Sequence, residues 1–378
     1  MESCKRVVQL CGPSVPRALD ARRKYACPPF GFCGIVNNCM SEPNMTDSGI
    51  PSNRVAPVID FHAHVLHPEV FRQTVKYSVS TNFGANPMPL PDKSSPAWRL
   101  FGGMLDPEVQ LRDMDAKGID IGLISTATVV QSTWWAEPAL AAALDRRANE
   151  GIAAWVERYP QRFAGSFTIP LQDVGVALKE MEYAVSHLKL KVANVSSNIG
   201  GVYLGDPKMR PFWEAARDLG VTVLIHPHGV TDPKFQKFAL WNGVGQPIEE
   251  TLVMASLIYE GIFETFPEVK VVIVHGGGYL PHYMGRLDRN ATAHPVSMTN
   301  IKRVPSEYAR CLYYDSCVYA PSVLEALIAR VGADRVLFGT DYPFGEQDPV
   351  GNIRKTSGLS ASDFKGIVSG TPAGILGI

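Results

Sequence analysis

From residue 58 onward a short β-branched run is followed by a stretch of helical period, and the pair recurs eight times. The strand runs are 58–64 (VIDFHAH), 121–126 (IGLIST), 163–170 (FAGSFTIP) and 189–196 (KLKVANVS), then 222–228 (TVLIHPH), 270–277 (KVVIVHGG), 312–318 (LYYDSCV) and 336–342 (VLFGTDY). Helical patterns lie near 107–118, 138–159, 173–187, 208–220, 248–266, 279–291, 321–332 and 361–369. Asp106-Pro107 and Asp206-Pro207 pair a capping residue with a proline at the first helical position. Gly118, Gly220 and Gly332 stand where helices should end before a strand. Eight such units predict a (β/α)8 TIM barrel. A doubly wound open sheet is the competing fold, but it marks its first turn with a glycine fingerprint, and no GxGxxG follows VIDFHAH. Residues 65–105, rich in Pro, Ser, Asn and Gly, read as an insertion after strand 1 on the face where barrels keep their chemistry.

The barrel should occupy residues 51–378 of the 378, with 1–50 as an N-terminal extension. That extension carries Lys5, Arg6, Arg17, Arg22, Arg23 and Lys24, shows no structural period, and has no sustained apolar core of the kind a secretory signal needs. It reads as a disordered segment, or one that initiation at Met40 or Met45 would remove, with a transit peptide as the alternative. Five of seven cysteines lie there, no pair has CxxC spacing, and Cys311 and Cys317 read as small core residues. Reduced thiols and hence a cytoplasmic protein are expected. With Lys+Arg 36 against Asp+Glu 37, the net charge of −1 gives no field for nucleic acid or an anionic membrane. No apolar run approaches the ~18 residues that span a bilayer.

The informative residues are polar ones at strand ends. His62, His64, His226, His228, His275 and Asp341 all fall at the carboxyl ends of predicted strands, the rim where barrel enzymes work. His62 and His64, two apart, point to the same face, the barrel interior, and can grip one cation, with Phe61 and Ala63 then facing the surrounding helices; otherwise each histidine needs its own buried hydrogen-bond partner. His226 adds a third nitrogen and Asp341 a carboxylate, unless that aspartate merely caps the next helix. Three His and one Asp suit a single divalent ion, Zn2+ first and Mn2+ second. Strand 4 ends Ala193-Asn194-Val195-Ser196, while Lys189 and Lys191 sit early in it, so no lysine is placed to bridge a second metal. His275, in VIVHGGG, is placed as general acid or base, though it can equally be incidental to a tight turn. The oxyanion-hole reading of HGGG requires a G-x-S-x-G elbow, which is absent.

IDFHAH, LIHPH, VIVHGGG and LFGTDYPF in this order resemble the branch of the amidohydrolase superfamily related to aminocarboxymuconate-semialdehyde decarboxylase. The resemblance extends through DPEVQLRDMDAKGID at 106–120 and PSEYARCLYYDS at 305–316. It implies a mononuclear barrel that decarboxylates an aromatic or unsaturated carboxylic acid without oxidation. His62, His64, His226 and Asp341 are then ligands, and His275, with Asp341, manages water and the proton. The resemblance also makes Arg286 a substrate-carboxylate anchor for a neighbouring subunit, hence a homodimer or larger homo-oligomer, and Arg99 a second anchor. Where the branch's reference member has an aromatic residue and an aspartate after HP, this chain has His228 and Gly229, so His228 is a candidate substrate contact. A hydrolase or hydratase on the same barrel, using water as nucleophile, is the alternative activity, and a non-catalytic binding protein the third.

Overall fold

The strands assemble into one parallel sheet that curls until its last strand meets its first. The structure, a computed structural model, describes residues 56–78, 89–131, 133–230 and 232–378, so the expected extension at 1–50 lies outside the described residues. In chain order the barrel strands are β1 (Ile59–Val65), β2 (Ile121–Thr126), β3 (Phe163–Phe167) and β4 (Val192–Val195). They continue with β5 (Thr222–Ile225), β6 (Val271–Ile273), β7 (Leu312–Asp315) and β8 (Val336–Leu337). Each pairs with the next in parallel. The seam closes when Phe61 N donates to Phe338 O at 2.8 Å and His64 N to Tyr342 O at 3.0 Å.

The helices returning the chain are α1 (Pro107–Lys117), α2 (Pro138–Arg158), α3 (Val174–Ser186) and α4 (Arg210–Asp218), then α5 (Gln246–Tyr259), α6 (Leu280–Ala293), α7 (Pro321–Val331) and α8 (Ala361–Lys365). The predicted start of α1 holds: the Asp106 side chain accepts from Glu108 N at 3.0 Å, one proline after the cap. Its stop holds too, with Gly118 left-handed at φ 70, ψ 34. Gly332 differs: at φ 86, ψ 149 it turns the chain out of the helix without the left-handed cap geometry. The stretch read as a helix over 248–266 is two helices, because Gly261 at φ 71 breaks it before Ile262–Thr265.

Six predicted strands run past their observed ends. The continuous strand of the 222–228 run stops at Ile225 and that of the 336–342 run at Leu337, after which, in the latter, only the Phe338 and Tyr342 backbones bond to that of β1. Beyond those points side chains take over the backbone groups: Thr340 N donates to Asp60 Oδ1 at 3.0 Å instead of to a neighbouring strand. That departure lets His226 and Asp341 lean into the barrel mouth. One facing was misread. Phe61 was expected to face the surrounding helices with Ala63, yet it clusters with Leu123, Val192, Leu224, Val272 and Leu337. Residues from strands all round the sheet meet only inside it, so Phe61 is an interior residue. The cause is a shift in β1–β2 register between Asp60 and Ala63, a bulge that breaks strict alternation.

Ile375, from a further short helix at Thr371–Leu376, joins this interior cluster. The stretch read as an insertion after strand 1 holds short helices at Pro68–Thr74 and Trp98–Phe101. Val70, Phe71 and Met104 there pack with Val129, Val130 and Leu144 in a separate apolar cluster. Cys317 is buried, whereas Cys311, expected in the core, is half-buried at its margin. No helix among the described residues is long and apolar enough to cross a membrane.

Candidate metal centre

Four side chains from three strands converge at the barrel mouth. One ligand atom from each of His62, His64, His226 and Asp341 lies within 4.8 Å of all the others, and all four residues are buried. His62 Nε2 stands 3.2 Å from His64 Nε2 and 3.5 Å from Asp341 Oδ1, which is itself 3.1 Å from His64 Nε2. Metal–ligand bonds of about 2.0–2.2 Å put donor atoms roughly 3–4 Å apart around a tetrahedral or five-coordinate ion, the spacing these atoms show.

The proton bookkeeping of the rings supports a cation. His62 Nδ1–H donates to Asp315 Oδ2 at 2.6 Å, and His226 Nδ1–H to the Pro227 carbonyl at 2.8 Å. Each bond fixes the tautomer that leaves Nε2 a bare lone pair. His226 Nε2 is buried with no partner. Two or three lone pairs facing one small buried space repel unless something positive sits between them, so the residues fit a divalent ion. Burial, reinforced by the neighbouring imidazoles, pushes His226 well below its ordinary value, and burial lowers His64. Both therefore offer neutral nitrogens, the form that binds metal. Burial opposes ionisation of Asp341, but the His275 ring beside it and the hydrogen-bonded His64 overcome it and hold the carboxyl well below the usual carboxylate range.

His275 stands at the edge of this set, its ring centre 5.2 Å from that of His62 and 5.4 Å from that of His226. Its Nε2 is 3.7 Å from Asp341 Oδ2, while Nδ1 donates to Glu250 Oε1 at 2.5 Å. Burial pushes the Glu250 carboxyl up to about 7. Burial also disfavours a charged His275, but the Glu250 and Asp341 carboxylates outweigh it and raise the imidazole well above its ordinary value. The pair therefore holds a proton at neutral pH, aimed at the mouth.

His228 is buried just beyond His226, its Nδ1 2.5 Å from Ser196 Oγ; burial pushes it down to about 4, so it is a neutral polar group. Arg99 and Arg286 are not brought to the centre: both are exposed, Arg99 on the short Trp98–Phe101 helix and Arg286 on α6. Lys189 and Lys191 are exposed ahead of β4, at the opposite end of the barrel, and Lys189 Nζ donates to the Ser186 carbonyl. At the mouth end of β4 stands Asn194, bound to Thr126 and Gln131.

Two functional residues escaped the sequence reading. Asp315, which orients His62, ends an apolar strand where a lone acid needs a purpose. Glu250 shares the buried face of α5 with Val253, Met254 and Leu257, at spacings of three, four and seven, so helical periodicity alone would have flagged it.

The family model described as Amidohydrolase matches residues 59–378. The curated 2-amino-3-carboxymuconate-6-semialdehyde decarboxylase of Dictyostelium discoideum is 32% identical over 278 residues, 72% of this chain and 77% of that protein. The crystal structure of 5-carboxyvanillate decarboxylase from Sphingomonas paucimobilis superimposes with a TM-score of 0.75 at 25% identity, covering 85% of this chain and 99% of that one. A dihydroxybenzoic acid decarboxylase from Polaromonas sp. JS666, crystallised with manganese and the inhibitor 2-nitroresorcinol, gives a TM-score of 0.69 at 26% identity, covering 85% and 97%.

Proposed function

The chain belongs to the amidohydrolase family, and on that premise we propose that it is a metal-dependent, non-oxidative decarboxylase of an aromatic or unsaturated carboxylic acid. The observation that carries this is the buried His62–His64–His226–Asp341 cradle with the protonated Glu250–His275 pair at its edge. These four residues would hold one divalent ion, Zn2+ by ligand type, with Mn2+ second and supported by the Polaromonas relative. When bound, the ion supplies positive charge that draws in the substrate carboxylate and orients the carbon–carbon bond to be broken.

The rest of the work falls to the chain. Decarboxylation leaves an electron pair on carbon, so a proton must reach that carbon before or as CO2 departs. His275 is the proton carrier: Glu250 holds its Nδ1, leaving Nε2 directed at Asp341 and the mouth. Once the carbon is protonated, the bond to the carboxylate breaks, CO2 leaves, and its electron pair restores the conjugated system. His228, held by Ser196, contacts the substrate as a neutral hydrogen-bonding group. Arg286, exposed on α6, serves the pocket of a neighbouring subunit, so the working unit is a homodimer or larger; Arg99 is a second carboxylate anchor from the segment after β1. Residues 51–378 form the catalytic barrel and 1–50 an extension. The free thiols of Cys311 and Cys317 support a cytoplasmic setting.

The test is metal analysis of the purified protein together with CO2 detection over a panel of aryl and dienoic acids. One equivalent of divalent metal and CO2 from at least one acid are expected. Water addition or hydrolytic cleavage without CO2 would establish the hydratase or hydrolase alternative instead. His275→Ala should keep its metal and lose ~10²–10⁴-fold in turnover, the usual contribution of a positioned acid–base group.

A further inference from the structure

Among the described residues, six that are not glycine have a left-handed backbone, and three of them meet at one atom. His275 (φ 50), Tyr319 (φ 57) and Asp341 (φ 56) all present their side chains to the second oxygen of the Asp341 carboxylate. A left-handed residue carrying a Cβ persists only where its surroundings enforce it, and such residues gather at working sites. His275 and Asp341 are accounted for by the centre described above. Tyr319 is not.

We propose that Tyr319 is a positioning residue: its hydroxyl holds Asp341 by Oδ2, so that only Oδ1 is turned toward the His62 and His64 nitrogens. The geometry divides the carboxylate between two duties. Oδ1 lies 3.1 Å from His64 Nε2 and 3.5 Å from His62 Nε2, on the side where the cation would sit. Oδ2 accepts from Tyr319 Oη–H at 3.0 Å, and His275 Nε2 is farther from it, at 3.7 Å. The tyrosine is therefore the nearer donor to the oxygen pointing away from the His62 and His64 rings. A carboxylate freed at Oδ2 can rotate and offer both oxygens to an ion, taking a coordination position that a substrate carboxylate needs. Tyr319 sits four residues beyond the end of β7, with its ring half exposed at the mouth, its hydroxyl turned inward and the buried Cys317 thiol beside it. The backbone strain is thus spent on bringing a rim residue back onto a buried ligand.

This inference rests on the metal centre proposed above, so the experiment reads metal binding and turnover separately. Tyr319→Phe removes the hydroxyl and keeps the ring. Both proteins are stripped with a chelator, melted as apo-protein, and titrated with Mn2+ and Co2+. The expected result is an unchanged apo melting temperature, ~10-fold weaker cation affinity, and a Co2+ visible spectrum altered in intensity by changed coordination. Turnover of the loaded variant should fall with little change in its apo stability. If the variant binds both ions with wild-type affinity and gives the wild-type Co2+ spectrum, Tyr319 does not position Asp341 and the inference is overturned. A variant whose apo form melts lower while its spectrum is unchanged assigns Tyr319 a structural role and overturns it equally. A wild-type protein that takes up neither ion removes the metal centre itself, which is a different failure.

Discussion

One barrel interior holds two unlike regions stacked along its axis. In the lower part Phe61, Leu123, Val192, Leu224, Val272 and Leu337 form a close apolar cluster. In the upper part the strands carry His62, His64, His226 and Asp341, with Asp315 and Glu250 behind them. Strand β5 shows the change in two residues: Leu224 belongs to the apolar cluster, and His226, just past the strand's end, faces the metal centre with a bare nitrogen. The lower region contributes stability through packing; the upper one holds unpaired lone pairs and left-handed backbone that cost stability and serve chemistry. The two should therefore fail in different ways.

The sharpest break is His226→Ala. It deletes a ligand rather than an outer partner, so cation affinity should fall by more than the ~10–100-fold that outer partners cost, and turnover with it. The fold should survive, since the imidazole ties down no second element: its Nδ1 bonds only the adjacent Pro227 carbonyl, and its Nε2 has no partner. Equilibrium dialysis with the metal, alongside circular dichroism, checks both halves. Apo-protein unfolding at a much lower denaturant concentration than wild type would show that the metal ring also bears the fold.

Leu224→Ala, two residues earlier on the same strand, is the mirror experiment. Truncating a fully buried leucine should cost ~2–5 kcal/mol of unfolding free energy. Metal affinity and kcat of the folded fraction should stay near wild type. Denaturant titration and metal binding on the same sample decide it, and a large loss of affinity would mean that the regions are coupled through β5.

How legible each region was in the sequence follows from the same contrast. The apolar strands announced themselves through β-branched runs, and the eightfold alternation gave the barrel. The ligands were legible because histidine is unexpected in such runs, and a pair at i, i+2 must share a face. Phe61 was misplaced because a bulge breaks that alternation and leaves no mark in local composition. Strand ends were overrun because what holds the residues beyond them is not local: Thr340 is held by an aspartate 280 residues away, a contact no local window contains. Asp315 and Glu250 were missed for a related reason. Each acts through a histidine on a different element, so its purpose appears only when the chain is folded.

Asp315→Asn tests this outer layer at moderate cost. The amide preserves shape but replaces the charged acceptor that fixes the His62 tautomer. Cation affinity should weaken ~10–100-fold, with the ligands themselves intact. Metal titration with a competing chelator measures it, and wild-type affinity would show that backbone packing alone orients His62.

The smallest effect should come at the boundary itself. Asp60 is buried between the two regions and accepts from His62 N at 3.0 Å, Thr340 N at 3.0 Å and Thr340 Oγ1 at 2.6 Å. It thereby ties the first ligand strand to the segment that carries Asp341, across the seam where the sheet closes. Thr340→Val keeps the size and branching of the side chain and removes the hydroxyl, which donates to Asp60 and accepts from Tyr342 N at 3.1 Å; Tyr342 N keeps the His62 carbonyl at 3.3 Å. Two backbone donors remain on the carboxylate, so the group is not orphaned. The loss should be that of one hydrogen bond to a charged acceptor, about 1.5–3 kcal/mol, seen in denaturant unfolding. Metal affinity should change less than in Asp315→Asn, because both ligands keep their own backbone anchors. If instead Thr340→Val weakens the cation as much as Asp315→Asn does, the seam holds the metal centre together as directly as the carboxylate behind His62, and the division between a packing half and a chemical half belongs lower in the barrel.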